Sequence, residues 1–401
     1  MRRFVRLHPL QIGLDWIDQC AQPLGEERIG LSFANGRTLS EDILAPSDHP
    51  SGSRAKVDGF ALRGMETVGA STYNSLSFTV IAGTAGRPVA GSVASGCAVR
   101  VGMGCELPEG LDAVVPGDLV EEKGAAMNID AAVAPGENVQ RRGSEVAQGA
   151  VLMRAGQRIG RFGWATLAGL GIRQVSVIRR PRVRILAIGS ELVGLGVRRE
   201  LRQEFDVNSG ALACAVAGDG GVVEATDLIP DERGAIREGL LPPGADLILV
   251  AGATGQGLDD HAPSVLAEVG EVVLHGFALR QARSAGLGRI HATLVVLLPG
   301  YPASCLCAYE LLAARVIRRM SGRSGDWPNQ REATLVRKVV SRLGFAEFCP
   351  VRFVAEGVEP LTAAAAGSLS NHATADGFIL IPEPCEGYPP GVRVMVNLYD
   401  R

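Results

Sequence analysis

The sequence predicts a multidomain protein of α/β and β structure, in which a central doubly wound α/β domain lies between β-rich segments. The chain has 401 residues, more than one domain usually holds. Between residues 182 and 320, apolar strand-like runs alternate with helical patterns, as in parallel strands joined by helical crossovers. Residues 46–149 and 330–401 instead carry short β-like runs separated by Gly, Pro and Asp turns.

We expect four domains from these changes of texture. The helical pattern in residues 1–45 and the mixed segment 150–180 form one linker or dimerisation domain. Residues 46–149 form a β domain inserted between those two pieces. Residues 181–325 form the α/β domain, and residues 330–401 form a C-terminal β domain.

Charge and hydropathy exclude several functional classes. The chain has 40 basic and 43 acidic residues, a net charge of −3, so it lacks the basic footprint of a nucleic-acid or membrane-surface protein. No apolar run approaches the roughly 20 residues that span a bilayer. Asp15 and Asp18 interrupt the apolar stretch that a signal peptide would need, so we do not expect one. The eight cysteines form no C-x-x-C pair, which favours reduced thiols. We therefore expect a cytoplasmic protein without a nucleic-acid or membrane partner.

The elements of the α/β domain follow from periodicity. Residues 245–251 (ADLILVA) are nearly all apolar, as expected for a strand buried on both faces. The other expected strands are Arg184–Ile188, Val222–Leu228, Glu271–Leu274 and Ala292–Leu298. The expected helices are Asn208–Gly218, Asp231–Leu241, Pro263–Val269 and Ala303–Met320.

Four polar loops follow predicted strands of this domain. They are Gly189–Leu192, Pro230–Glu232, Gly252–Asp260 and Pro299–Ser304. Because parallel strands end at one edge of a sheet, these loops should lie together. In the third loop, Gly252, Gly255 and Gly257 allow successive N–H groups to converge on a phosphate, beside a predicted helix N-terminus. The same loop could instead be a plain strand-to-helix connection.

Three carboxylates, Glu191, Asp231 and Asp260, stand on separate loops of this set. Converging oxygen ligands beside a phosphate site indicate a Mg²⁺-assisted reaction on a phosphorylated substrate. Alternatively, the two aspartates cap helices and Glu191 is a solvated loop residue. Arg280 and Arg283, on a later loop, either bind phosphate or are surface charges.

Five ordered segments carry a family resemblance. They are residues 34–43 (ANGRTLSEDI), 56–63 (KVDGFALR), 107–115 (LPEGLDAVV), 189–192 (GSEL) and 299–302 (PGYP). They are similar to the patterns AxGRxLAEDI, AMDGYAVR, LPxGADAVV, GDEL and PGNP of the molybdopterin molybdenumtransferases, known as MoeA in bacteria and as the E domain of gephyrin in animals. The resemblance covers nearly the whole chain.

The resemblance implies a fold, a reaction and partners. The fold is an elongated linker domain, an inserted β domain, a central molybdopterin-binding, MogA-like α/β domain and a C-terminal β-barrel. The reaction inserts molybdate into adenylylated molybdopterin and releases AMP with Mg²⁺ as the cation. The working form is a homodimer, in which the α/β domain of one subunit faces the β insert of the other. A client molybdoenzyme or another cofactor-biosynthesis protein is the expected further partner.

The resemblance also implies the site residues. The catalytic residues would be Asp58, Asp231, Asp260 and Arg280, with Asp58 at the molybdate end and contributed across the dimer. The metal ligands would be Glu191, Asp231 and Asp260. The residues that bind the substrates would be Gly252, Thr254, Gly255, Gly257, Ser190, Pro299, Tyr301, Pro302 and Ser368.

Several positions depart from the family pattern within this same site. Ser190 replaces the aspartate of GDEL, which should weaken cation binding because one negative charge is lost. In the family's KxxxKPGKP segment, Gly276, Arg280 and Arg283 replace the three lysines, and arginine keeps the charge but changes the geometry. Tyr301 replaces the asparagine of PGNP and would narrow an oxyanion pocket.

Lys56 is an additional cation beside Asp58. It either attracts molybdate or forms a salt bridge with Asp58 that blocks the site. The sequence thus leaves three hypotheses: a working transferase, an altered paralogue that carries molybdopterin or its cofactor to a molybdoenzyme, and a scaffold without pterin. The four retained carboxylates favour the transferase.

Overall fold

The computed structural model of the chain describes residues 7–81, 92–361 and 369–399. These residues form two compact units, one of them Glu41–Gln174 and the other the remainder. The helices are α1 (Leu10–Cys20), α2 (Arg161–Gly169), α3 (Asn208–Asp219), α4 (Arg233–Leu240), α5 (Ala262–Val269), α6 (Pro302–Ala308), α7 (Ala314–Met320) and α8 (Leu369–Thr374). A π-helical turn, Tyr309–Ala313, joins α6 to α7.

The strands are numbered in chain order. The first eleven are β1 (Glu26–Gly30), β2 (Ile43–Leu44), β3 (Arg54–Ala55), β4 (Gly59–Leu62), β5 (Leu76–Ile81), β6 (Cys97–Val101), β7 (Ala113–Pro116), β8 (Val120–Lys123), β9 (Ala126–Ile129), β10 (Val139–Gln140) and β11 (Val151–Met153). The next nine are β12 (Gln174–Ile178), β13 (Arg182–Ile188), β14 (Leu192–Val193), β15 (Glu204–Phe205), β16 (Val222–Ile229), β17 (Leu247–Ala251), β18 (Glu271–His275), β19 (Gly286–Ile290) and β20 (Thr293–Leu298). The last seven are β21 (Gln330–Thr334), β22 (Val339–Val340), β23 (Glu347–Val354), β24 (Gly357–Pro360), β25 (Gly377–Ile381), β26 (Gly387–Tyr388) and β27 (Arg393–Leu398).

The central sheet has the strand order β16-β13-β17-β20-β19-β18. The first four strands are parallel, and β19 runs antiparallel to both of its neighbours. Helices cover both faces, which is why all five residues of β17 are buried. Leu247 and Leu249 contribute to a core shared with α3, α6 and α7, whereas Ile248 and Val250 pack with residues of α4 and α5. The predicted doubly wound α/β domain is thereby confirmed.

Strand β19 was not predicted because glycine occupies two of its five positions. Gly288 lies so close to β18 that a Cβ atom there would be 2.3 Å from the carbonyl oxygen of Glu271. A residue without a side chain is required at such an approach, and low β propensity hides the strand from a reading of the sequence. The sheet therefore gains an antiparallel hairpin at one edge.

The helix predicted to begin at Asp231 begins at Arg233, so Asp231 and Glu232 precede its first turn. Glu232 occupies the N-cap position and makes no side-chain capping bond. His261, rather than Asp260, precedes α5, again without a side-chain cap. Both aspartates are therefore free of the capping role that the sequence allowed.

The unit Glu41–Gln174 is built around a β-sheet of order β7-β4-β6-β5-β9-β8. All four residues of β4 are buried, because apolar clusters lie on both faces of this sheet. Phe60 and Leu62 belong to one cluster and Ala61 to the other. The alternation places successive side chains on opposite faces, as strand geometry requires.

The C-terminal sheet, of order β21-β27-β25-β23-β24, closes on itself. The Val336 N–H donates to the Val358 carbonyl at 2.9 Å, and Leu335 forms a parallel bridge with Val358, which joins the two edge strands. Closure removes unpaired edges, as in small β-barrels. The predicted C-terminal β-barrel is therefore confirmed, whereas the four domain boundaries stay predictions.

Among the described helices, none has both the length and the apolar composition that a bilayer crossing needs.

Candidate functional site

Strands β13, β16, β17 and β20 end at one edge of the central sheet, and the structure brings their four following loops together there. They enclose a cavity of about 340 Å³. Its lining includes residues from all four loops and the first residue of α3: Ile188, Glu191, Leu192, Asn208, Asp231, Gly252, Ala253, Gly257, Leu258, Asp259, Asp260 and Gly300. Three carboxylates expected to share a site, Glu191, Asp231 and Asp260, thus face one space.

Asp231 is held by Ser190 across the ends of β13 and β16. The Ser190 N–H donates to Asp231 Oδ2 at 3.0 Å, and the Asp231 N–H donates to Ser190 Oγ at 3.2 Å. This reciprocal pair links the two loops and fixes the direction of the carboxylate. Ser190 therefore positions Asp231 through both its backbone N–H and its hydroxyl oxygen.

The loop Gly252–Asp260 begins with a close backbone approach. Gly252 has φ 103°, and a Cβ atom there would lie 2.3 Å from the Ile188 carbonyl oxygen. Ala253 follows with φ 53°, in the left-handed region. At the other end of the loop, Asp260 Oδ2 accepts from the Gly257 N–H at 2.5 Å. Asp260 thus fastens the loop onto itself with one of its oxygens.

Thr254, expected to bind substrate, turns its side chain away from the cavity. Its hydroxyl donates to the Leu298 carbonyl at 3.2 Å and lies 3.3 Å from Ser284 Oγ. His275 Nε2 lies 2.8 Å from the Thr254 carbonyl oxygen, which only accepts, so Nε2 is the donor. Burial lowers the pKa of His275, which favours the neutral ring at pH 7. Thr254 therefore joins this loop to the segment that ends β18.

A second cavity, of about 660 Å³, lies on the other side of the same loop. Its lining residues are Arg233, Gly255, Gln256, Gly257, Leu258, Asp260, His261, Pro263, Ser264 and His275. Gly257, Leu258 and Asp260 belong to both cavities. The loop thus separates the first cavity, which is lined by carboxylates, from the second cavity, whose lining includes basic side chains.

The Pro299–Ser304 loop contributes Gly300 to the first cavity, while Pro299, Tyr301 and Pro302 line neither cavity. Tyr301 is 59% exposed, and Pro302 is the first residue of α6. The side chain that was expected to narrow an oxyanion pocket therefore points to solvent within this unit.

Asn208 is a cavity residue that the sequence predicts to lie on a helix without marking it as part of the site. Its Nδ2 donates to the Gly300 carbonyl at 2.8 Å, across 92 positions of the chain. The available signal was its position at the start of α3, just after the loop from β13. That signal is weak, because helix starts commonly carry asparagine for capping.

Arg280, expected to be catalytic, is committed to a different partner. Its Nη1 donates to Glu347 Oε2 at 2.7 Å, and the Glu347 side chain is 9% exposed. The backbones of the same segments also pair, from the Arg280 N–H to Ala346 O at 3.0 Å. Arg283 stacks its guanidinium over Phe345, 5.1 Å from the ring centre. Neither arginine lines the two cavities.

Asp58 lies in the other unit, after β3. Its Oδ1 accepts from the Met103 N–H at 2.7 Å. No ion pair joins Lys56 to Asp58 among the residues that the structure describes. The blocking salt bridge that the sequence allowed is therefore not formed. Ser368 lies outside the described residues.

The three carboxylates do not form a closed metal site by themselves. Within residues 7–81, 92–361 and 369–399, no group of three or more His, Cys, Asp or Glu side chains has the arrangement of a preformed metal site. Any cation held here would take part of its coordination from a ligand or from water.

Comparison with known proteins decides the family. Residues 9–171 match the family model of the MoeA N-terminal region (domain I and II), residues 184–319 the model described as "Probable molybdopterin binding domain", and residues 332–399 that of the MoeA C-terminal region (domain IV). Molybdopterin molybdenumtransferase 1 of Mycobacterium tuberculosis is 30% identical over 320 residues, 74% of each chain. The chain belongs to the MoeA family.

Two further MoeA relatives extend the match to nearly full length. Molybdopterin molybdenumtransferase of Bacillus subtilis is 28% identical over 398 residues, which cover 94% of this chain and 91% of that protein. A crystal structure of the MoeA protein of Pyrococcus horikoshii superimposes with a TM-score of 0.87 at 30% identity, covering 99% of this chain and 100% of the other. The predicted family is thereby confirmed.

The departures from the MoeA pattern have distinct structural settings. Ser190 retains a hydrogen bond to each end of Asp231, so its loop keeps its position without a carboxylate at 190. Gly276 adopts φ 90°, a conformation that a lysine rarely takes. Arg280 has its own acidic partner, Glu347. The charge of Arg280, within the 276–284 segment, is thus directed at a carboxylate of the C-terminal barrel.

The Arg280–Glu347 pair should stabilise the contact between this segment and the barrel. Arg280→Ala leaves the Glu347 carboxylate buried without its partner, and we expect the free energy of unfolding to fall by about 2–3 kcal/mol. Glu347→Gln leaves Arg280 at a site where it can be hydrated and should cost about 1 kcal/mol. Urea denaturation measures both.

Arg289→Ala is the matched control, because Arg289 pairs with Glu271 on the surface of the neighbouring hairpin and both side chains are half exposed. Its cost should stay below about 1 kcal/mol. If Arg280→Ala and Arg289→Ala lowered the free energy of unfolding equally, the Arg280–Glu347 pair would stabilise the fold no more than a surface ion pair does.

Proposed function

We propose that this chain inserts molybdate into adenylylated molybdopterin and releases AMP. The observation that carries the proposal is the cavity lined by three carboxylates from three loops, Glu191, Asp231 and Asp260, together with Gly252 and Gly257 of the glycine-containing loop. Carboxylates and backbone groups around one space suit a pyrophosphate-linked substrate that is held through a divalent cation. The relatives named molybdopterin molybdenumtransferase support the same reaction.

The residues present fit Mg²⁺. Asp231 and Asp260 each use Oδ2 to accept a backbone N–H, and the Oδ1 atom of neither accepts a hydrogen bond from another described residue. Together with Glu191 they offer hard oxygen ligands. When bound, the cation would neutralise the phosphates and the charge that develops on the departing one. Without a cation the same carboxylates would repel the pyrophosphate.

The chain's own residues would orient the substrate. The loop from Gly252 to Asp260 separates two cavities, so the pyrophosphate can lie against the loop while the organic groups occupy the spaces beside it. Asp231, fixed by Ser190, would keep its free oxygen available to the cation that holds the phosphates. We place Asp58 at the molybdate end, contributed by the second subunit of a homodimer. The reaction would take place in the cytoplasm, and its product would pass to a client molybdoenzyme.

Release of AMP from adenylylated molybdopterin tests the function. The purified chain should release AMP in a molybdate- and Mg²⁺-dependent way. Asp231→Asn and Asp260→Asn should each reduce the rate about 100-fold or more, because each removes a negative oxygen from the cation site. Glu232→Gln, next to Asp231 but outside both cavities, is the matched control and should retain the wild-type rate.

If the protein keeps adenylylated molybdopterin bound without releasing AMP, the proposal is contradicted, and the result favours the hypothesis of a paralogue that carries molybdopterin to a molybdoenzyme. If the protein does not bind the substrate, only the hypothesis of a scaffold without pterin remains.

Ser190 provides a second test, directed at the cation. Ser190→Asp keeps an oxygen that can accept the Asp231 N–H and adds a negative charge, so half-maximal AMP release should need less Mg²⁺. Ser190→Ala loses the acceptor and should lower kcat/KM by about fivefold, close to the worth of one hydrogen bond. A Mg²⁺ titration of both variants measures this. An unchanged Mg²⁺ requirement in Ser190→Asp would place the cation elsewhere.

Subunit complementation tests the homodimer. If Asp58 and Asp231 of one site come from different subunits, two inactive variants, Asp58→Asn and Asp231→Asn, should regain activity when co-expressed. Random pairing would restore about a quarter of the wild-type sites, since one site of each mixed dimer is intact. No recovery in a mixed dimer isolated by two affinity tags would mean that both residues of a site belong to one chain.

A further inference from the structure

His275 is a partly buried, titratable side chain beside the glycine-containing loop Gly252–Asp260. It is the last residue of β18, and it lines the second cavity. Its Nε2 donates to the Thr254 carbonyl at 2.8 Å, across 21 positions of the chain. Burial lowers the pKa of the ring, so the neutral form is favoured at pH 7, and the carbonyl keeps the single proton of that form on Nε2.

The middle of the loop, residues 254–256, has few other attachments. The loop is fixed at its start through the Gly252 N–H and near its end through the Gly257 N–H. Between these points, within the part of the chain that the structure describes, the bond from His275 is the only hydrogen bond that the backbone of residues 254–256 makes. Because Gly255 has no side chain and wide conformational freedom, the backbone here depends on His275 for its orientation.

The same bond sets the direction of an unused donor. The peptide between Thr254 and Gly255 is trans, so its carbonyl and its N–H point in opposite directions. Since His275 holds the carbonyl, the Gly255 N–H is turned away from the ring. This N–H has no hydrogen-bond partner among the described residues. It is therefore available to an anionic ligand that lies along the loop.

We propose that His275 is a positioning residue, which holds the Thr254–Gly255 peptide in the orientation that binds the pyrophosphate of the substrate. The inference rests on the proposed function, because the pyrophosphate along this loop comes from it. A loop that is held in its binding conformation before the substrate arrives loses less conformational entropy on binding, which raises the affinity. In this role His275 acts through the loop rather than on the substrate.

The experiment removes the donor and then restores it. His275→Leu lacks the donor, and His275→Asn, whose amide is too short to reach Thr254, replaces it if the leucine variant does not fold. His275→Gln is the restoring variant, because its longer amide can place an N–H near the position of Nε2. The ring also interacts with a backbone group of Ser284. Glutamine keeps a donor for Thr254 without the second ring nitrogen, so it separates the two interactions.

Val273→Ala is the matched control. Val273 lies two residues before His275 on the same strand and packs against the core, but it lines neither cavity. Its truncation weakens the packing of β18 without changing a hydrogen bond to the loop. Any effect of a merely less stable strand will therefore appear in this variant as well.

Calorimetric titration with inorganic pyrophosphate and Mg²⁺ measures the affinity, and AMP release gives kcat and the KM values for adenylylated molybdopterin and for molybdate. We expect His275→Leu to raise the Kd of pyrophosphate and the KM for adenylylated molybdopterin about fivefold, the scale of one hydrogen bond. The kcat and the KM for molybdate should stay within about twofold, because binding lost equally from substrate and transition state raises KM alone. His275→Gln and Val273→Ala should behave as the wild type.

Three results would overturn the inference. An unchanged pyrophosphate Kd in a folded His275→Leu protein would mean that the bond does not position the loop for binding. Equal weakening in His275→Gln would mean that contacts of the ring other than the Nε2 donor hold the loop. An equal rise in the KM for molybdate would indicate a general disturbance of the site. Failure of the proposed function differs from all three, because the wild-type chain itself would then bind no pyrophosphate or release no AMP.

Discussion

The arrangement of the site depends on the close approach of Gly252 to the end of β13. A side chain at this position would collide with the Ile188 carbonyl, and the Cβ position of Gly300 would lie 3.3 Å from Gly252 Cα. Three adjacent strand ends are therefore drawn together where backbone, not side chain, fills the space. The backbones pack so closely at Gly252 and Gly300 that a side chain does not fit there, and the loops separate only after these residues. The cavity lies where the loops have separated, and the carboxylates line it.

Much of this arrangement could be predicted from the sequence, because it follows from local patterns. The apolar run of β17 and the turn residues after each parallel strand were enough to place Glu191, Asp231 and Asp260 at one sheet edge. The rest depends on partners far apart in the chain. The bond from Asn208 to Gly300 and the pairing of Arg280 with Glu347 join segments 92 and 67 positions apart, and neither leaves a local signal. Strand β19 escaped detection because its glycines serve a close contact with β18 that only the folded sheet reveals.

The departures from the MoeA pattern are coherent once their contacts are considered. Ser190 supplies the backbone support that Asp231 needs without adding a charge, so the carboxylate is positioned although the local negative charge is smaller. Arg280 directs its charge to a buried carboxylate of the barrel, which loss of the arginine would leave unpaired in the interior. The cationic segment between β18 and β19 is thus engaged in holding the barrel. Any attraction for an anion at this edge must therefore come mainly from backbone dipoles or from a bound cation, because Arg233 of the second cavity is itself paired with Glu268.

This distribution of charge gives the two cavities opposite preferences. On one side of the loop, carboxylates form a surface of acceptors, which favours cations and neutral donors. On the other side, Arg233 presents a guanidinium that also pairs with Glu268. Burial lowers the pKa of His275, and its Nε2 already donates to the Thr254 carbonyl. A substrate with a charged linker between two organic groups can satisfy both surfaces only when the linker lies along the loop that they share, and only when a cation offsets the carboxylates. Under the proposed function, the loop with its glycines would determine both the position of the substrate and the dependence of the reaction on the metal.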